Sequence, residues 1–187
     1  MRTFLIGGAR SGKSSLAARW AAERSRAVCC VVTALASDEE MAARINAHRQ
    51  ERPAHWRVRE APRRLGEALQ EEGCTGNLVL VDCLTLWTAN CLWPPATAAA
   101  REPDAGPTGE WQADLSGWHA ERDRFLVSLR AATTEVIVVS NEVGTSLVPE
   151  NAAARLFRDE QGRLNQLVAA ACDAVFLVTA GLALRLK

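Results

Sequence analysis

Eight residues near the start of the chain, Gly7-Gly8-Ala9-Arg10-Ser11-Gly12-Lys13-Ser14, fit the pattern Gly-x-x-x-x-Gly-Lys-Ser. Such a loop is rich in backbone N–H groups and poor in bulky side chains. Glycines let successive N–H groups curl around phosphate oxygens, and a helix starting at Lys13 adds the partial positive charge of its N-terminus. Lys13 then reaches the outer phosphates, and the Ser14 hydroxyl is offered to Mg²⁺. The pattern has meaning only where a strand precedes it and a helix follows. Both flanks meet that condition. "RTFLI", 2–6, reads as a buried strand, and residues 13–24 carry Leu16, Trp20 and Glu23 at helical spacing. These flanks argue against a turn without a ligand. The motif specifies a nucleoside triphosphate and leaves the reaction open.

A carboxylate should join Ser14 at the metal. Asp82 closes the apolar run "NLVLVD", 77–82, as a Walker B aspartate does. Ligands of open parallel sheets sit at the carboxyl ends of strands. Glu142 follows a second buried run, "EVIVVS", 135–140, and competes as a metal or water contact. On the segment 38–52, Met41, Ile45, His48 and Arg52 share one helical face, and Arg44, Arg49 and Arg52 surround the histidine. Periodicity alone favours a partly buried histidine there. The arginines leave open a phosphate-facing nucleophile or proton carrier. His55 and His119 have less support, and His119 is expected on the exposed face of its helix. Arg155, Arg158 and Arg163 read first as surface ion pairs.

These residues need a frame. "AVCCVVTA", 27–34, is an apolar, β-branched run typical of a central strand. "SDEE", 37–40, predicts a capping box with Ser37 as cap and Glu40 reaching back, and Pro53 ends that helix near Arg52. "WRVRE", 56–60, reads as a short strand or extended link. Helices are expected over 63–72, 84–92, 111–131 and 151–171, the last loosened at Gly162. "AVFLVTAG" and "LALRLK" close the chain as two strands joined near Gly181. Residues 93–109 hold four of the seven prolines and read as a loop insertion. Strands alternating with helices predict a mostly parallel sheet covered on both faces. The tight last connection predicts one antiparallel edge.

The 187 residues suit a single domain, 1–187. Lysine plus arginine and aspartate plus glutamate both number 22. A neutral chain without tyrosine gives no basic track with stacking aromatics, so nucleic acid is not an expected partner. The six cysteines lack metal-binding spacing, and most read as reduced core thiols. With no leader sequence and no apolar stretch long enough to span a bilayer, the expectation is a cytoplasmic protein without a membrane anchor.

Five blocks together carry a resemblance: "GGARSGKS", "DEEMAARINAHRQERPAHW", "VDCLTLW", "VSNEVG" with "VPEN", and "RLFRDEQGRLNQ". From Gly7 to Lys187 the chain resembles the bifunctional adenosylcobinamide kinases and adenosylcobinamide-phosphate guanylyltransferases of cobalamin biosynthesis. The resemblance implies an α/β P-loop NTPase fold, a RecA-like three-layer sandwich, assembled as a homotrimer. It implies two reactions on a corrinoid substrate, adenosylcobinamide. ATP or GTP phosphorylates the hydroxyl of the aminopropanol arm, and GMP then passes from GTP through a histidine to the new phosphate. The family's guanylylated histidine corresponds to His48. Its nucleotide contacts correspond to Gly7 through Ser14, to Val32, Thr33 and Ala34, to Arg49, Gln50, Glu51 and Arg52, and to Glu60 and Asp82. One departure is Gly144-Thr145-Ser146, where the family often has Gly-x-Gly. The alternatives are a monofunctional P-loop kinase for a small metabolite and a RecA-type ATPase or binding module. The two reactions expose different phosphorus atoms to attack, so helix 38–52 is expected to move toward the loop when GTP binds, hinged near Ala36-Ser37 and Pro53.

Overall fold

The computed structural model describes residues 1–36, 38–50, 52–94 and 113–187, with residues 44 and 48 by backbone alone. Seven strands form one sheet: β1 (Arg2–Gly7), β2 (Val28–Val32), β3 (Arg57–Glu60), β4 (Leu78–Asp82), β5 (Val136–Asn141), β6 (Ala174–Thr179) and β7 (Leu182–Arg185). Their spatial order is β3-β2-β4-β5-β1-β6-β7. Every pairing is parallel except β6 with β7. Six helices are described: α1 (Lys13–Arg24), α2 (Glu39–Gln50), α3 (Leu65–Glu72), α4 (Leu84–Leu92), α5 (Leu115–Ala131) and α6 (Ala152–Ala171).

The continuous apolar runs of the inner strands follow from burial on both faces. Alternate residues turn to opposite sides of the sheet. Leu5, Val28, Cys30, Leu78, Leu80, Ile137 and Val139 pack with Leu16, Ala17 and Ala21 of α1 and with Trp56. Phe4, Cys29, Val31, Val79, Val81, Val136 and Val138 face a larger core built with α3, α4, α5 and α6. At its centre Trp87 meets Trp118 edge-on at 5.1 Å, and Phe125 lies 5.1 Å from Trp87 on another side. Each such pair contributes about 0.5–1.5 kcal/mol beyond area burial. Both indole N–H groups are satisfied: Trp87 donates to the Arg63 carbonyl at 2.9 Å and Trp118 to Glu160 at 2.8 Å.

The expected elements form, with differences that have local causes. β2 ends at Val32, so Thr33 and Ala34 lie beyond the ladder. The α2 cap that the structure shows is Asp38, whose carboxylate accepts from the Met41 N–H at 2.7 Å. Ser37, the expected cap, lies outside the described residues, as do Glu51 and residues 95–112, most of the proline-rich stretch. α6 runs unbroken through Gly162, where an added Cβ would meet nothing within 4 Å. His119 is not simply surface decoration: its ring lies 3.3 Å from the buried Glu160 carboxylate. All six cysteines are free, and four are buried. No helix among the described residues is long and apolar enough to cross a membrane.

Candidate active site

β1 delivers the glycine loop at the carboxyl edge of the sheet. Gly7 is required there by contact: an added Cβ would run into the Val178 carbonyl oxygen and lie 2.9 Å from Ser11 Oγ. At Gly8 the same Cβ would meet nothing within 4 Å, so the loop opens outward at that point. Arg10 and Gly12 take positive φ, 60° and 90°, a conformation costly for a residue with a Cβ and common at ligand loops. The loop is also held from outside. The Gly181 N–H donates to the Ser11 carbonyl at 2.9 Å, and the Glu142 N–H donates to the Gly7 carbonyl at 3.0 Å. The hairpin turn between β6 and β7 and the end of β5 thus fix the loop's shape before any ligand arrives.

Lys13 begins α1, is buried to 8% exposure, and donates to the Gly8 carbonyl at 3.0 Å. Burial pulls its ammonium below the usual lysine range, against the opposing pull of Cys83 and Asp82. Ser14 Oγ donates to Asp82 Oδ1 at 3.2 Å. Ser11 Oγ is buried without a hydrogen-bond partner among the described residues. An orphaned hydroxyl, an open cradle at Gly8 and a serine facing a carboxylate fit a phosphate chain with Mg²⁺. That ion takes few protein ligands, keeping water and phosphate oxygens for the rest.

Asp82 and Glu142 separate clearly. Asp82 faces Ser14, whereas the Glu142 carboxylate turns back and accepts from the Gly144 N–H in its own loop. β5 lies between β1 and β4, so the glycine loop and Asp82 approach each other over the end of a strand that belongs to neither.

Val32 pairs with Glu60 on one side and Asp82 on the other. Glu60 and Asp82 therefore stand in one row, about 10 Å apart at the backbone by strand spacing. Glu60 is exposed and pairs with Arg49 at 3.8 Å, a solvent-screened contact worth little by itself. Arg52 sits near enough to Cys30 to oppose the burial that lifts that thiol to about 12. Gln50 and Ala34 lie on this side, exposed and half-buried respectively. α2 contributes no buried residue among those described.

Thr33 is fully buried: its hydroxyl is engaged with Cys83, its N–H with the Asp82 carbonyl and its carbonyl with Asn90, so of residues 32–34 only Val32 and Ala34 keep exposed surface. Of the three arginines on α6, Arg163 pairs with Glu160, Arg158 with Asp159, and Arg155 holds the carbonyls of Pro149 and Glu150. Two polar residues on the inner face of the same helix carry no expectation from the sequence. Gln161 and Asn165 are buried, and with Ser140 they form a network in which Asn165 donates to the Asn141 carbonyl at 3.0 Å. Thr85 accepts from the Asn141 N–H at 2.8 Å. The signal was the polar pair one helical turn apart on the inner face of an amphipathic helix.

A family model described as cobinamide kinase / cobinamide phosphate guanyltransferase matches residues 3–186. The bifunctional adenosylcobalamin biosynthesis protein CobP of Pseudomonas aeruginosa is 42% identical over all of this chain and 98% of its own length. The corresponding CobU proteins of Escherichia coli K12 and Salmonella typhimurium LT2 are 38% and 35% identical, with full coverage of both chains. Among solved structures, an ATPase from the type III secretion system of pathogenic bacteria aligns with a TM-score of 0.53 at 13% identity. That alignment covers 98% of this chain and 56% of that one, a likeness of fold alone. The sheet order and the loop after β1 accord with a RecA-like P-loop fold, and the match over nearly the whole chain places it in the cobinamide kinase / cobinamide phosphate guanylyltransferase family.

Proposed function

We propose that this chain phosphorylates the aminopropanol hydroxyl of adenosylcobinamide with ATP or GTP, and then transfers GMP from GTP through His48 to the new phosphate. The observation that carries the reading is the convergence of Lys13, Ser14 and Asp82 at the mouth of the glycine loop. The family match supplies the substrate class.

In the first reaction the substrate hydroxyl oxygen attacks the γ-phosphorus, its proton is lost, and the nucleoside diphosphate leaves. Loop N–H groups hold the phosphate oxygens in place. Lys13 exchanges its bond to Gly8 for the phosphates, where its charge stabilises the transferring group. Ser14 and Asp82 would hold Mg²⁺, which when bound neutralises charge on the phosphate oxygens. In the second reaction the neutral imidazole of His48 attacks the α-phosphorus. The bond to pyrophosphate breaks and a proton leaves the ring. The phosphate of the first product then takes GMP from the histidine, which divides one difficult transfer into two easier ones.

The two attacks occur at different phosphorus atoms, and α2 moves between them. Its lack of a buried anchor among the described residues supports that motion. Glu60, Arg49, Val32 and Ala34 contact the nucleoside in this reading. The homotrimer is carried over from the family, and a cytoplasmic location belongs to the same reading. The reading is tested with His48→Ala, assayed separately for phosphorylation and for guanylyl transfer. Retained phosphorylation with guanylylation lost supports it; guanylylation at the unaltered rate contradicts it.

A further inference from the structure

The β4 ladder ends at Asp82, which still pairs with Val32. One residue later Cys83 leaves the sheet in extended conformation as the N-cap of α4. Its main chain would lose its partners there. Thr33 supplies them. The Thr33 hydroxyl donates to the Cys83 carbonyl at 2.6 Å and accepts from the Cys83 N–H at 3.1 Å. The Thr33 N–H donates to the Asp82 carbonyl at 3.3 Å. A single buried residue therefore binds main-chain groups on both sides of the joint that carries the Asp82 carboxylate.

Thr33 is itself anchored. Its carbonyl accepts from Asn90 Nδ2 at 2.8 Å, and the same amide donates to the Pro62 carbonyl at 3.0 Å. The contacts run from the segment after β3, through Asn90 on α4 and Thr33 after β2, to the Asp82–Cys83 joint, and from Asp82 to Ser14 on α1. The requirements on residue 33 are specific. Its side chain must be short, must both donate and accept, and must fit a fully buried site. Serine meets the hydrogen-bonding requirement and valine meets only the shape.

We infer that Thr33 is a positioning residue for the Asp82 carboxylate, anchored by Asn90, and that it sets metal affinity at the Ser14–Asp82 site without touching nucleotide through its side chain. The inference rests on the reading of Ser14 and Asp82 as the Mg²⁺ ligands. Residues that orient a metal ligand through hydrogen bonds alter metal affinity by about tenfold or more when removed.

The test is an electron paramagnetic resonance titration of Mn²⁺ into the full chain with α,β-methylene-GTP, which blocks guanylyl transfer. Thr33→Val is expected to raise the Mn²⁺ dissociation constant about tenfold, with metal-free nucleotide affinity within about twofold of the parent. Thr33→Ser is expected to restore parental Mn²⁺ affinity, which a loss of packing would not allow. Folded Thr33→Val with unaltered Mn²⁺ affinity overturns the inference, and so does Thr33→Ser as weak as Thr33→Val. If Thr33→Val does not fold, Asn90→Leu carries the test: weaker Mn²⁺ binding supports the inference and unchanged binding overturns it. No nucleotide-dependent Mn²⁺ binding by the parent chain would instead remove the metal reading on which it stands.

Discussion

The Lys13 ammonium group rests on the Gly8 carbonyl at 3.0 Å, so the loop's cation is held by the loop's own backbone. Burial disfavours its charge, and a phosphate chain would supply a stronger partner than one carbonyl. The site thus stores an unfavourable charge that ligand binding relieves. Lys13→Met keeps the volume and removes the charge. It is expected to lower the rates of both reactions by about 100-fold or more, with thermal stability unchanged or raised. Steady-state rates and a melting curve on one preparation check both halves. A clear fall in melting temperature with rates intact would contradict it.

Gly7 and Gly8 are neighbours with opposite expectations. A methyl group at Gly7 collides with the Val178 carbonyl, and one at Gly8 meets open space. Gly7→Ala should cost about 2 kcal/mol or more of stability, because backbone must shift to accept it. Gly8→Ala should leave stability within about 0.5 kcal/mol and weaken nucleotide binding by occupying the phosphate cradle. Denaturant melts and nucleotide titrations of both variants separate the effects. Equal stability losses would show that Gly8 is packed rather than open.

Asp173 ties the start of β6 to the start of β1. It accepts from the Arg2 N–H at 2.7 Å and from the Arg2 guanidinium at 2.8 Å. Those hydrogen bonds depress its carboxyl from 3.8 to about 2. A depressed acid stabilises the fold above its unfolded value and loses that contribution as pH falls through its folded value. The pair is partly exposed, so its worth is about 0.5–1 kcal/mol after solvent screening. Asp173→Asn should therefore melt below the parent at neutral pH, with the gap closing as pH falls from 3.8 through about 2. A gap independent of pH over that interval would assign the effect to packing.

The glycine loop, its flanking strand and helix, and Asp82 were legible in the sequence because local rules place them. A strand, a left-handed turn and a helix N-terminus are properties of adjacent residues. The sheet edge was legible for the same reason: Ala180 and Gly181 both take positive φ in a two-residue turn, too short for a crossover. The contest between Asp82 and Glu142 was not decided by sequence, since one closes a buried strand and the other follows one. What separates their surroundings is α1, which brings Ser14 to Asp82, and Gly144, which engages the glutamate. Thr33 entered as a nucleotide contact only through the family resemblance. That its hydroxyl faces Cys83 depends on strands β2 and β4 being neighbours, which no local pattern states. The same holds for Gln161 and Asn165, whose partners lie on β5.

The central claim is that one chain grips a triphosphate in the glycine loop and takes its nucleotide onto His48. The direct measurement is incubation with Mg²⁺ and GTP labelled at the α-phosphorus, followed by denaturation and peptide mapping. Label is expected on the peptide containing His48, lost in acid and retained in alkali, and absent from His48→Ala. No covalent label, or label of the same yield in His48→Ala, would contradict it.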